Sequence, residues 1–103
     1  MIPVELLNRN DHVIASASVE VKGDYHMGSV NLDHMPEPLR TLFVDFESLV
    51  VNQVLSLVSL TELIISEQQI RARFDDGRVT LLDDLQIYPT EGLISFLLAG
   101  APV

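Results

Sequence analysis

Apolar and polar residues alternate from Val13 to Val21, with Val13, Ala15, Ala17, Val19 and Val21 set against Ile14, Ser16, Ser18 and Glu20. A period of two marks a strand with one face turned to a core, here the odd positions. Gly23-Asp24 comes next, with glycine at the first central position as a type II′ hairpin prefers. A two-residue loop there places Lys22 opposite Tyr25, Val19 opposite Gly28, Ala17 opposite Val30 and Ala15 opposite Leu32, so the apolar parities agree. Upstream, a turn centred on Arg9-Asn10 sets Leu6 opposite Val13, Val4 opposite Ala15 and Ile2 opposite Ala17. Residues 2–34 therefore read as a three-stranded antiparallel meander.

Met35-Pro36-Glu37-Pro38 ends the third strand, because residues before proline avoid helical conformation and Pro38 suits a first helical turn. Beyond it, Leu39, Leu42, Phe43, Phe46, Leu49, Val50, Val54, Leu57, Leu60 and Ile64 recur at spacings of three and four. They predict one long helix whose apolar stripe covers the sheet. A narrow polar stripe of Asp45, Ser48, Asn52, Ser56, Ser59, Glu62 and Ser66 is assigned to solvent. Val44, Val51, Leu55, Val58 and Ile65 lie beside it, more apolar surface than one sheet face covers. Val44, Val51, Leu55 and Val58 are accordingly the expected interface.

Residues 69–74 and 78–82 read as a second hairpin about a type I′ turn at Asp76-Gly77. Ile70, Ala72 and Phe74 point inward in this reading, and Val79, Leu81, Leu85 and Ile87 share one inward parity, with Asp83-Asp84 marking a bulge. Residues 88–92 break the chain before a last apolar run, 93–98, read as an edge strand. The expected fold is α+β: a two-layer domain over 1–103 in which an antiparallel sheet of five to six strands, in β-β-β-α-β-β-β order, packs on one long helix.

Composition narrows the function classes. Hydrophobic residues form 48% of the 103, enough for a core of aliphatic side chains. Fifteen acidic against six basic residues give a net charge of −9, which repels phosphate backbones and anionic lipid, so neither nucleic acid nor a membrane is expected as partner. The longest apolar stretch, 49–65, is interrupted by Asn52, Gln53, Ser56, Ser59, Thr61 and Glu62 and is too polar for a membrane span. Absence of cysteine removes disulfides, thiolate chemistry and cysteine-rich zinc sites. With no signal-like N-terminal run, a cytoplasmic location is expected.

Candidate chemistry rests on polar residues assigned to the inner faces: His26, His34, Gln53 and Asp83. A buried polar group without a partner costs roughly 1–3 kcal/mol, so each must be paired, wet or misplaced. His26 and His34 stand eight residues apart on one strand, about 26 Å at strand rise, and cannot share a metal. Each Asp-His neighbour pair splits between opposite strand faces. Ser16, Ser18 and Ser29 lack an activating base, and Asp75-Asp76 lacks metal-loop spacing. Arg71 and Arg73 share a strand face and are expected to pair with the chain's own carboxylates. No catalytic residue, metal or cofactor is predicted; Gln53, His26 and Asp83 form the candidate ligand set.

Three functions are compatible with these features. The leading one is a noncatalytic interaction or self-assembly module, expected as a homodimer through the surplus helix surface. The second is a small-ligand-binding protein or enzyme with a pocket between helix and sheet. The third is an acidic inhibitor or immunity-type protein covering a basic site on another protein.

Overall fold

The computed structural model describes residues 1–99, in which six strands and two helices succeed one another. They are β1 (Ile2–Leu7), β2 (Val13–Lys22), β3 (Tyr25–Asn31), α1 (Glu37–Val51), α2 (Leu55–Glu67), β4 (Arg71–Phe74), β5 (Val79–Tyr88) and β6 (Leu93–Leu98). The sheet is not one layer of a sandwich. Its strands close into an antiparallel barrel in the order β1-β2-β3-β6-β5-β4, the ring being completed where β1 pairs β4. The expectation of an open sheet lying on one long helix is overturned by this closure and by a break in the helix. The run 93–98, expected at an edge, is instead paired on both sides, by β3 and β5.

The β2–β3 hairpin keeps the register its turn dictates, from Lys22 opposite Tyr25 to Ala17 opposite Val30. The β1–β2 pair keeps the predicted faces but slides by two residues: Leu6 meets Ala15, Val4 meets Ala17 and Ile2 meets Val19. The cause is a longer connection. Asn8 Oδ1 accepts from the Asn10 and His12 amides at 2.9 and 3.0 Å, and Asp11 takes φ 65°. Leu7 then pairs with Val13, leaving Ile14 as an inserted residue that is buried beside Ala15 while Val13 is exposed. Such a bulge adds the bend a closed barrel needs.

At the β4–β5 turn the loop has three residues rather than two. Phe74 N donates to Arg78 O at 2.8 Å and Gly77 N to Phe74 O at 2.9 Å, with Gly77 alone at positive φ. Arg73 therefore opposes Val79, which sends Val79 and Leu81 outward, contrary to the parity expected for them. The bulge at Asp83-Asp84 restores the inward direction, Asp84 adopting φ 47°, so Leu85 and Ile87 are buried as predicted.

The helix breaks at 52–54. Gln53 N donates to Val50 O and Val54 N to Leu49 O, with Gln53 at φ 57°: a Schellman motif ends α1, with Gln53 as its left-handed residue. Asn52 Nδ2 also satisfies the Ser48 carbonyl. The break re-phases the second helix. Val58 and Ile65, expected on the flank, turn to the core, while Leu57, Leu60 and Ile64, expected on the sheet, are exposed.

Phe43 and Phe46 of α1 and Ile65 of α2 join the inward side chains of the strands in one cluster. The ring of Phe46 stacks on Tyr88 at 6.2 Å. Buried Glu47 accepts from Thr90 Oγ1 at 2.6 Å and Thr90 N at 3.3 Å, tying α1 to the β5–β6 loop. The carboxylate is thus the satisfied exception in an apolar contact.

Gly28 lies directly against the β2 backbone: a Cβ there would lie 1.9 Å from Ser18 O and 2.8 Å from Val19 Cα. Since backbone must move to admit it, Gly28→Ala should cost roughly 2–3 kcal/mol, read as a lower urea midpoint at unchanged slope. Gln53→Gly should act oppositely, stabilising by about 1 kcal/mol because only glycine occupies the left-handed region without penalty. Chemical denaturation measures both, and a destabilised Gln53→Gly would contradict the capping role.

Candidate functional site

The three residues expected to share a helix–sheet pocket sit on different parts of the molecule. Gln53 is exposed in the α1–α2 turn, and its amide side chain never enters the core. Asp83 is exposed beside the β5 bulge. His26 does face the barrel interior, but at the end carrying the 23–24 and 75–77 turns, away from the helices. Its ring stacks on Phe96 at 5.3 Å and meets Phe74 edge-on at 6.1 Å. The Arg78 guanidinium lies over the Phe74 ring, 4.6 Å from its centroid. His34 is exposed rather than inward.

His26 Nδ1 is buried with no hydrogen-bond partner. Burial first, and the Arg78 charge second, hold the imidazole below its ordinary pKa. The group acts as an aromatic wedge closing the barrel mouth.

Other polar side chains are engaged in structure. Arg73 reaches Glu5 at 2.6 Å and Arg71 pairs with Asp11, as the expected internal ion pairs require. Arg71 also donates to Asn8 O at 2.7 Å, bracing the β1–β2 loop. Tyr25 OH donates to Asp84 at 2.6 Å, and that carboxylate holds the phenol above its usual pKa. Gln86 and Tyr88 continue the same chain of hydrogen bonds along β5. Among the described residues no group of three His, Cys, Asp or Glu side chains is placed to hold a metal ion. A shallow trough of about 560 Å³ runs over β1, β2, β3 and the end of β4, lined in part by Ser16, Ser18, Ser29, Asn31 and Arg73.

The surface that stands out is helical. Leu57, Leu60, Leu63 and Ile64 of α2 are between 39% and 56% exposed, one contiguous arc of the helix. Beside that arc runs a groove of about 440 Å³ between the helices, lined by Leu42 and Leu49 of α1, Leu57, Thr61 and Ile64 of α2, with Asp45 and Ser48 at its rim. The interface set named from sequence is divided by this geometry. Val44 and Val51 lie exposed on the opposite flank of α1, Leu55 is 72% exposed at the start of α2, and Val58 packs on the core. Sequence reasoning found the excess of apolar surface but assigned its main members to the sheet, because the turn at Gln53 carries no glycine to announce it.

No family model, curated protein or solved structure matches the chain. Support for a function therefore comes from the geometry alone. Among the described residues no helix is long and apolar enough to cross a membrane.

His26 yields a pH prediction. Its folded pKa lies below that of the unfolded chain, so stability is full above the ordinary histidine range near ~6.5 and is lost as pH falls through that range toward the folded value. Thermal melting midpoints of the wild type should drop between neutral pH and pH of about 5.5, and His26→Phe should flatten that slope. An unchanged slope in the variant would refute the assignment.

Proposed function

We propose that the protein is a noncatalytic interaction module whose working surface is the apolar face of the α1–α2 pair. The observation that carries this reading is the exposed row Leu57, Leu60, Leu63 and Ile64 on α2. The barrel interior is filled by its own side chains, and α2 contributes Ile65 and Val58 to that core, so the helix is anchored on one side and apolar on the other. An exposed apolar row beside a core-facing side is more apolar surface than a solvated helix face carries, which marks a contact site. Between Leu57 and Ile64 the one charged residue, Glu62, lies off the row, and in a chain of net charge −9 that spacing is what a contact surface explains.

Catalysis finds less support, since the inward histidine is an aromatic wedge and the carboxylates serve turns, bulges and ion pairs. The acidic-inhibitor reading would require a charged contact face, whereas the exposed row on α2 is uncharged along its crest.

The absence of native cysteine permits a direct test in cells carrying the protein. A thiol introduced by Leu60→Cys should be protected from maleimide labelling in the cell, while one introduced on the barrel wall by Ser29→Cys labels freely. Equal labelling at both positions would overturn the reading.

A further inference from the structure

Helix α2 has little of its own to keep it helical. Its 13 residues include Ser56, Ser59 and Ser66 and the β-branched Val58, Thr61, Ile64 and Ile65, none of them a strong helix former. A helix of that length is marginal alone even with better residues. Val54 gives its N-terminus no side-chain cap, and neither an acid in the first turn nor a base in the last complements its dipole. Tertiary contact must therefore supply the stability, and it is thin. Ile65 is the one buried side chain of α2, with Val58 half-buried, whereas α1 buries Phe43, Phe46 and Glu47 and is tied through Glu47 to Thr90. Under the C-terminal half of α2 a gap of about 190 Å³ separates Glu62, Ile65 and Ser66 from Ile70 and the bulged stretch of β5 at 82–85.

The chain on either side of α2 is fixed. Before it, the Glu47 carboxylate holds α1 to the β5–β6 loop; after it, Ile70 O accepts from Leu82 N at 3.1 Å, so the chain is back in the sheet one residue beyond Gln69. Between these points Gln53 and Gln69 take φ 57° and 52°, a left-handed conformation that is unfavourable for a residue with a Cβ and that surrounding contacts must maintain. Apart from the Gln68 amide, which folds back on Ile64 O, one side-chain hydrogen bond among the described residues joins α2 to the rest of the molecule: the Arg9 guanidinium of the β1–β2 loop donates to the Glu67 carbonyl. It places a cation at the helix C-terminus, where α2 supplies none itself. We infer that α2 is a hinged lid on the barrel, turning about Gln53 and Gln69 and latched by Arg9, and that it opens in the native protein while the barrel and α1 stay folded. The floor it uncovers is apolar, with buried Ile70 and Leu85 at its centre. Such opening requires no partner on the exposed leucine row and is independent of it.

Native-state hydrogen exchange of the full chain, under conditions where exchange follows the opening equilibrium, tests this. The helical amides of α2 should exchange as one group, on the order of 100-fold less protected than those of β2, β5 and α1 and with a weaker dependence on added denaturant. Ile94→Val, deep in the barrel, should lower protection of the strands several-fold and leave α2 unchanged, because the lid opens without the barrel. Arg9→Ala should lower protection of α2 roughly fivefold, the loss of one hydrogen bond. A thiol on the floor, Leu85→Cys, should react with a maleimide at the rate set by the lid, at least tenfold faster than one at Ile94→Cys, which waits for the barrel to unfold. Protection of α2 equal to that of the strands, a fall in α2 protection that follows the strands in Ile94→Val, no change in α2 on Arg9→Ala, or equal reactivity of the two thiols would each overturn the proposal. Should Leu85→Cys fail to fold, exchange in the wild type, Ile94→Val and Arg9→Ala still decides it.

Discussion

Pairing of β1 with β4 is the constraint on which the architecture depends. Val4 to Leu7 meets Phe74 to Arg71 across almost seventy residues of chain, and only this contact turns a meander and a later hairpin group into a ring. Once closed, the ring leaves no sheet edge to protect, and its interior must be filled by what the strands themselves point inward. The closure also decides the place of the helices. A sheet that has curled on itself offers no broad flat face, so the helical segment covers one region of the barrel with Phe43, Phe46 and Ile65 and keeps the rest of its apolar surface outside.

The bends that allow closure come from specific residues. Ile14 is the extra residue in β2, Asp83-Asp84 the irregularity in β5, and Gly28 the position where a side chain cannot enter. Glu47 and Arg71 reinforce the loops next to these strands through Thr90 and Asn8. Polar groups in this protein thus hold geometry, and apolar ones are left to make contact.

Much of this was legible wherever the signal is local. Gly23-Asp24 specified the β2–β3 register to the residue, and Asp83-Asp84 was readable as a bulge because two adjacent carboxylates interrupt an apolar strand. Other features depend on choices that neighbouring residues do not reveal. Asp75 joined the turn at Asp76-Gly77, lengthening it by one residue and sending Val79 and Leu81 outward. Gln53 took a left-handed conformation without glycine, so a single continuous helix remained the natural reading of the 3.6-residue period. The closing β1–β4 pairing has no local signature at all. The surplus of apolar helix surface was visible, yet its identity depended on the phase shift at Gln53: Leu57, Leu60 and Ile64 were assigned inward and stand outside.

The proposed function reduces to one largely apolar helical face, separate from the barrel wall, at which this molecule meets another. Backbone amide chemical shifts of the labelled protein, compared in buffer and in extract of the cells that carry it, test this most directly. The prediction is movement confined to amides around residues 57–64 of α2 and the facing part of α1 near Leu42 and Leu49, with the barrel strands unmoved. Movement centred on the barrel wall, or none, would contradict it.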